Sequence, residues 1–263
     1  MAPEATMVSV RNGMFDVEMR CAGQGEPLVF LHGGGGFTGW APFLDDLAED
    51  YKVYAPRHPG FGESTGLEHL DDVVDMALFY LDLFDALGLS SLNLVGSSLG
   101  GMFAAEIAAL GGSYVKKLVL QAPAGLWLDD AIPPDIFTMS PDEIARAAYF
   151  DPEAAQARLL APNPDDKEVT AKATFERQKA DIATAKFVWP IWDKGLKKRI
   201  HRIKAPTLLV WGESDGLVPP VYGEEFKRLI PGSQLVIISK AGHIPSFEQQ
   251  TEYVRIVREF LSS

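Results

Sequence analysis

A serine stands at the centre of the segment Gly96-Ser-Ser-Leu-Gly100, a spacing that could produce a nucleophile. The segment follows the apolar run Leu92–Val95, which predicts a strand, and precedes the small-residue stretch Leu99–Leu110, which predicts a helix. A sharp strand-to-helix turn needs small residues two positions before and two positions after its central residue. Only Ser98 meets that need, because centring the turn on Ser97 would put valine and leucine at the small positions. The pattern therefore predicts a nucleophile elbow at Ser98.

A serine hydroxyl needs a general base, and the base needs a group that orients it. Where a serine lies on such an elbow, the acid and then the histidine follow it in the chain. His201 lies in a basic segment ahead of a predicted strand, whereas His243 follows the last predicted strand, where doubly wound sheets place their chemistry. We predict His243 as the base and Asp215, in the loop after the preceding strand, as the acid. Glu213 or an acidic residue after the sixth strand is the alternative acid.

Four glycines follow His32, directly after the predicted strand Pro27–Leu31. Glycines let backbone N–H groups approach a developing negative charge. We predict the N–H of Gly34 as one oxyanion donor, with Gly35 as the next choice, and the N–H of Leu99 as the other donor. His32 itself is expected to hydrogen-bond the loop backbone and not to contact a substrate.

Short apolar strands alternate with helices along most of the chain, which predicts a mostly parallel sheet covered by helices on both faces. An antiparallel hairpin with its turn at Asn12-Gly13 precedes this sheet. The spacing of apolar residues between Tyr253 and Leu261 predicts an amphipathic helix at the end of the chain.

The alternation stops between about Trp127 and Ile200, where no strand is predicted. Ser140-Pro-Asp-Glu143 is a capping box with proline at the first helical position, so a helix begins there. Two further helices are expected, one from Asp151-Pro152 and one over Asp166–Ala185. The predicted organisation is a core of residues 1–126 and 201–263 with a helical cap, or lid, of residues 127–200 inserted after the sixth strand.

The cap and the predicted catalytic loops are rich in large apolar side chains. Some of these must pack the cap on the sheet, and others are expected to line an apolar pocket above Ser98. Such a pocket indicates an aromatic or medium-length hydrophobic acyl or alcohol group in the substrate. The candidate pocket residues are Trp40, Leu126, Trp127, Trp189, Trp192 and Ile244.

The charge balance and the single cysteine restrict partners and location. The chain of 263 residues carries a formal net charge of −12, so neither nucleic acid nor an anionic membrane surface is an expected partner. Cys21 is the only cysteine, no basic leader precedes the first apolar stretch, and no apolar run could span a bilayer. A cytoplasmic location is therefore expected. We predict no metal and no cofactor, because no His, Cys and carboxylate group has ligand spacing; the pattern leaves monomer and homo-oligomer open.

Several motifs together resemble the α/β-hydrolase fold family, in its serine-nucleophile branch, over essentially the whole chain apart from the cap. The resemblance implies an eight-stranded, mostly parallel sheet, a lid between the sixth and seventh strands, and a Ser98–His243–Asp215 triad. One departure is His58, where many relatives have an aspartate before the Pro-Gly-x-Gly turn; we interpret it as a change of loop structure and not of chemistry. The matching segments are His32-Gly-Gly34, Gly60-Phe-Gly-Glu-Ser64, the elbow, Pro206-Thr-Leu-Leu-Val-Trp-Gly212 with Asp215, and Gly242-His243.

The leading hypothesis is a cofactor-independent serine hydrolase that cleaves carboxylic esters of small hydrophobic molecules through an acyl-enzyme. The alternative is a carbon–carbon bond hydrolase of the meta-cleavage-product type, whose members share the Ser-x-Gly-Gly found at Ser98–Gly101. Those enzymes usually carry an aromatic residue where this chain has Ile244, and they need a cation, for which Arg146, Arg158 and Arg177 are candidates. A receptor-like protein with little turnover is a third hypothesis, and the intact Ser/Asp/His set argues against it.

Overall fold

Eight strands form one sheet in the computed structural model, which describes residues 2–35, 37, 39–159, 167–191 and 193–263, with the backbone alone for residues 156–159. The strands are β1 Ala5–Val10, β2 Phe15–Ala22, β3 Glu26–Leu31, β4 Tyr51–Pro56, β5 Leu92–Ser97, β6 Val115–Gln121, β7 Thr207–Gly212 and β8 Gln234–Ile238. Their order is β1-β2-β4-β3-β5-β6-β7-β8. β2 runs antiparallel to both of its neighbours, and the other neighbouring strands are parallel. The predicted eight-stranded, mostly parallel sheet is confirmed.

Helices cover both faces of this sheet, as predicted. Alternate residues of one strand enter different buried layers: Leu118 and Leu120 of β6 lie in the first core layer, and Val119 lies in the second. The first core layer is packed by α2, α3 and α7, and the second by α1 and α9. The helices are α1 Pro42–Leu47, α2 Val73–Ala86, α3 Leu99–Leu110, α4 Pro141–Ala148, α5 Pro152–Leu159, α6 Lys167–Val188, α7 Val221–Leu229, α8 Pro245–Glu248 and α9 Gln250–Ser262.

The first two strands form the predicted hairpin. Val10 pairs with Phe15, and Asn12 and Gly13 between them have φ values of 55° and 88°. Asparagine and glycine tolerate this left-handed region better than other residues, which explains why the turn forms here.

Three helices, α4, α5 and α6, separate β6 from β7, at the place expected for the lid. Ser140 caps α4 as predicted: its hydroxyl accepts the N–H of Glu143, and the Glu143 carboxylate accepts the N–H of Ser140. The third predicted helix is α6, which begins at Lys167; the expected start at Asp166 lies outside the described residues. Within residues 127–200, no described residue belongs to a strand.

The sheet brings four loops to one edge. β3, β5, β7 and β8 all run in the same direction, so the loops that follow Leu31, Ser97, Gly212 and Ile238 leave from the same end of the sheet. These loops contain the predicted oxyanion glycines, the elbow serine, the acid and the histidine. The topology thus collects residues that are far apart in the sequence.

Candidate active site

Ser98 adopts a strained backbone conformation between β5 and α3. Its φ of 53° and ψ of −113° lie outside the regions that residues with a Cβ prefer. Hydrogen bonds hold it there: its N–H donates to the carbonyl of Gln121 at 2.9 Å, and its carbonyl accepts the N–H of Ala124 at 3.1 Å. The neighbouring strand β6 and the loop after it therefore fix the turn that carries the serine.

The two glycines that flank Ser98 are needed for close approach. A Cβ at Gly100 would lie 2.2 Å from the carbonyl oxygen of Leu31, at the end of β3. A Cβ at Gly96 would lie 2.5 Å from the carbonyl oxygen of Gly100. Both distances are below van der Waals contact, so any larger residue would push α3 away from the sheet and from the loop after β3.

Ser98, His243 and Asp215 lie in one hydrogen-bonded chain. The Oγ of Ser98 is 2.8 Å from Nε2 of His243, and Nδ1 of His243 is 2.8 Å from Oδ2 of Asp215. His243 and Asp215 are both buried. The other carboxylate oxygen, Oδ1, accepts the N–H groups of Leu217 and Val218, at 2.9 Å each. With Nδ1–H donated to Asp215, Nε2 has a free lone pair toward the serine hydroxyl, as a general base requires.

The alternatives to these residues lie elsewhere. Glu213, the other candidate acid in the loop after β7, has an exposed side chain, and its N–H donates to the carbonyl of Ile238. His201 is also exposed, on a short 3-10 turn ahead of β7. The structure therefore joins His243 to Ser98 and Asp215 to His243, and these positions are taken neither by Glu213, nor by an acidic residue after β6, nor by His201.

The glycine loop, Gly33–Gly35, lies against the serine. A Cβ added at Gly33 would meet the Cβ of Ser98 at 3.3 Å, so the two segments are in contact. Leu99 is the first residue of α3, where backbone N–H groups have no partner within the helix. The loop and the helix start thus border the serine, as the predicted oxyanion donors Gly34 and Leu99 require.

Two buried histidines, His32 and His58, hold the backbone of the glycine loop by hydrogen bonds. The N–H of His58 donates to Nε2 of His32 at 3.1 Å, so Nδ1 of His32 carries the proton and donates to the carbonyl of Gly33 at 2.8 Å. Nε2 of His58 in turn donates to the carbonyl of His32 at 2.8 Å, which leaves Nδ1 of His58 to accept the hydroxyl of Tyr80. His32 thus hydrogen-bonds the loop backbone, as expected for a structural role.

Burial keeps both histidines neutral. Loss of hydration lowers the pKa of His58 to about 4. The pKa of His32 is also well below its ordinary value, because of burial and then because of its neighbour His58. Each ring therefore has one fixed donor and one fixed acceptor nitrogen at neutral pH.

Comparison with known proteins assigns the family. The family described as "alpha/beta hydrolase fold" matches residues 26–250, which is most of the chain.

The chain belongs to the α/β-hydrolase fold family.

Relatives of this α/β-hydrolase include a dienoate hydrolase and a lipase. A 2-hydroxy-6-oxo-6-phenylhexa-2,4-dienoate hydrolase from Burkholderia cepacia is 29% identical over 95% of this chain and 92% of that protein. Lipase 1 from Psychrobacter immobilis is 29% identical over 90% of this chain and 77% of that protein. A solved structure of a meta-cleavage product hydrolase from Pseudomonas fluorescens IP01 has a TM-score of 0.80 and 20% identity, covering 98% of this chain and 97% of that one; this likeness shows the fold.

Three predicted pocket residues of the α/β-hydrolase lie in the segments that follow β6 and β8. Leu126 is buried in the first core layer. Trp127 is half-buried, and its indole N–H donates to Asp129 at 2.9 Å. Ile244 is half-buried and directly follows His243. That they line a pocket beside the serine stays a prediction.

The remaining predicted pocket residues lie in different surroundings. Trp40 is buried in the second core layer, and its indole N–H donates to Asp45 at 3.0 Å. The side chain of Trp189 is 53% exposed and rests edge-on against the ring of Phe137. Trp192 lies outside the described residues.

The two candidate cations of the insertion whose side chains the structure describes, Arg146 and Arg177, are exposed. Arg146 is exposed in the last turn of α4. Arg177 is exposed and pairs with Asp181 on the same helix at 2.9 Å. The side chain of Arg158 is outside the described set.

Three polar side chains that the sequence analysis did not single out contact the site loops. Gln121 is buried at the end of β6; its amide donates to the hydroxyl of Ser97 at 2.7 Å and accepts the N–H of Ser246 at 3.3 Å, which links the elbow to the segment after His243. Thr184 and Glu248 contact the glycine loop and the histidine loop. Gln121 could have been found from the sequence, because it is a polar residue at the end of an apolar strand. No sequence pattern marks Thr184 or Glu248 as residues that contact the site loops.

The described residues provide neither a metal cluster nor a membrane-spanning helix. They contain no group of three or more His, Cys, Asp or Glu side chains that could hold a metal ion. Among them, no helix combines the length and the apolar character needed to cross a bilayer.

Proposed function

We propose that this α/β-hydrolase is a serine hydrolase that cleaves carboxylic esters of small hydrophobic molecules through an acyl-enzyme. The observation that carries the proposal is the unbroken chain of 2.8 Å contacts from Ser98 through His243 to the buried Asp215. A serine, a base and an orienting acid in this arrangement are the parts needed for nucleophilic acyl transfer.

In the proposed reaction, His243 takes the proton from Ser98 as the serine oxygen attacks the ester carbonyl. The N–H groups of Gly34 and Leu99 stabilise the negative charge on the carbonyl oxygen. His243 then gives the proton to the departing alcohol, and an acyl group remains on Ser98. A water molecule loses its proton to His243 and attacks the acyl group, and the acid leaves as the proton returns to Ser98. Asp215 stabilises the imidazolium in both halves of the reaction.

We propose residues 127–200 as the cap that closes the substrate pocket. Leu126 and Trp127 stand at the start of this segment in the sequence and Ile244 follows His243, and we expect all three to line the pocket. Apolar lining of this kind suits an acyl or alcohol group without charge.

The second candidate is a carbon–carbon bond hydrolase of the meta-cleavage-product type. The observation that favours it is the relative named 2-hydroxy-6-oxo-6-phenylhexa-2,4-dienoate hydrolase, which matches 95% of this chain. The same triad would serve there, with a dienoate diketone as substrate.

The test is activity on a p-nitrophenyl ester and on a dienoate diketone, together with labelling by a fluorophosphonate probe. The parent should be labelled at Ser98, and Ser98→Ala should lose labelling and about 10⁴–10⁶-fold in kcat. The matched control is Ser91→Ala, at an exposed serine, which should behave as the parent.

The outcome also ranks the hypotheses. A larger kcat/KM on the diketone than on the ester would reverse the order of the two candidates. Labelling of Ser98 with negligible turnover on every substrate would favour a receptor-like protein. Labelling that persists in Ser98→Ala would remove this serine from the proposal.

A further inference from the structure

The insertion contacts both loops that carry the acid and the base. The contact is made by the corner between α4 and α5, which we call the cap corner (Ala147–Asp151). The carbonyl of Ala148 accepts the N–H of His243 at 2.7 Å. The carbonyl of Ala147 accepts the N–H of Gly216, the residue after Asp215, at 2.9 Å. The backbone at the end of α4 therefore holds His243, the proposed base, and Gly216, which follows the proposed acid.

These contacts need glycine at two positions of the core. A Cβ at Gly242 would lie 2.3 Å from the carbonyl oxygen of Ala148, and a Cβ at Gly216 would lie 2.9 Å from that of Ala147. A larger residue at either position would push the cap corner away from the catalytic loops. The close approach of the insertion to the loops of the acid and the base therefore depends on these two glycines of the core.

Glu248 ties the same corner to the histidine loop. One oxygen of its carboxylate accepts the N–H of Gly242, next to His243, at 2.6 Å. The other oxygen accepts the N–H groups of Phe150 and Asp151, at 2.9 and 3.2 Å. These two N–H groups directly precede α5, where the helix start also favours a negative charge. One carboxylate thus bridges two segments that are about a hundred residues apart in the sequence.

We propose that Glu248 is a positioning residue. It fixes the cap corner to the histidine loop, and through this link the insertion orients His243 and Asp215 in addition to covering the site. The role rests on the proposed triad. Proton transfer from Ser98 to His243 depends on the direction of the imidazole, so a small rotation of this loop should lower kcat while the substrate pocket, and hence KM, changes little.

The experiment compares Glu248→Gln and Glu248→Ala with the parent. Glutamine keeps one acceptor oxygen, so it should lower kcat by about 10-fold, and alanine removes both oxygens, so it should lower kcat by about 100-fold. KM should stay within about 3-fold of the parent value in both variants. The matched control is Glu252→Gln, four residues further on, where the carboxylate is exposed and pairs with Arg255.

Two further measurements separate orientation from stability and from catalysis. Active sites titrated with the fluorophosphonate give kcat per folded site, so a variant with a lower Tm and a parental kcat per site would overturn the proposal. The proton between Nδ1 of His243 and Asp215 should give a downfield ¹H NMR signal in the parent that broadens or disappears in the Glu248 variants. Faster amide exchange at Gly242, Phe150 and Asp151 should accompany this loss.

The outcomes distinguish failure of the inference from failure of the proposed function. If the parent is labelled at Ser98 and both Glu248 variants keep kcat and the downfield signal, the inference is wrong and the function stands. If the parent is not labelled but the variants lose the signal, the function is wrong and the positioning role stands. Should Glu248→Ala fail to fold, Glu248→Gln decides alone.

Discussion

The two sides of Ser98 are supported by different chemistry. On one side, carboxylates support the loops of the acid and the base: Asp215 contacts the imidazole of His243, and Glu248 accepts the N–H next to it. On the other side, the glycine loop rests on His32 and His58, two buried and neutral rings. In the proposed reaction the first side must gain and lose a proton, whereas the second must offer the same N–H groups at every step. Negative charge stabilises the protonated form of the base on the first side, and a fixed protonation state keeps the donors of the second side unchanged.

The neutral side also explains the departure at His58. An aspartate there would bring a charge into the core, and it has no proton to donate to the carbonyl of His32. The neutral imidazole donates one hydrogen bond to that carbonyl and accepts another from the hydroxyl of Tyr80. These hydrogen bonds show how the histidine holds the loop, and that the chemistry proposed for Ser98 is unaffected stays a prediction.

The largest predicted effect tests the charged side with Asp215→Asn. The amide oxygen can still accept the N–H groups of Leu217 and Val218, but its NH₂ group faces Nδ1 of His243 and favours the wrong tautomer. We expect kcat on the ester to fall by about 10⁴-fold, with Tm little changed. The control is Glu213→Gln, which should keep the parental kcat. A large loss in the control with activity retained in Asp215→Asn would exchange the roles of the two acids.

The next effect tests the neutral side through the pH dependence of stability. The pKa of His58 is about 4 in the folded protein and 6.5 when unfolded. As pH falls from 6.5 to 4, His58 therefore becomes protonated in the unfolded chain but stays largely neutral in the folded protein. The free energy of unfolding falls by about 3 kcal/mol because of this group. The measurement is the free energy of unfolding, by urea titration, at several pH values in this window.

His58→Gln should remove this contribution, because its amide can donate to the carbonyl of His32 but does not titrate. Its stability should fall by about 3 kcal/mol less than that of the parent between pH 6.5 and pH 4. His69→Gln, at a half-exposed histidine, is the control and should follow the parent. Parallel curves for the parent and His58→Gln would show that His58 is not held neutral, and the contrast between the two sides would be lost.

The sequence predicts the charged side more fully than the neutral side. Strand and helix periodicity and the chain order of Ser98, Asp215 and His243 are local patterns, and the sheet brings them together because parallel strands end at one edge. His58 and Tyr80 come into contact only because α2 packs on the sheet, and no local sequence pattern predicts that contact. The helices α1 and α8 have six and four residues, too few to show a period.

The contacts of the insertion are the hardest to predict for the same reason. Thr184 meets Gly34 across 150 residues of sequence, and Glu248 meets Phe150 across 98. Both use backbone atoms as partners, so neither partner's residue type carries a signal. Such contacts follow from the fold once it has formed, and a sequence pattern specifies only the elements that make them.

The smallest predicted effect asks whether the insertion also acts on the neutral side. Thr184 of α6 is buried over the glycine loop, and its hydroxyl donates to the carbonyl of Gly34 at 3.3 Å. Thr184→Val keeps the shape of the side chain and removes this long hydrogen bond, so kcat should fall by about 5-fold, which corresponds to about 1 kcal/mol. The measurement is kcat on the ester, and Thr174→Val, the same change at an exposed position of α6, is the control. A parental kcat in Thr184→Val would mean that the buried histidines hold the glycine loop alone, and the insertion would then act on the acid–base side only.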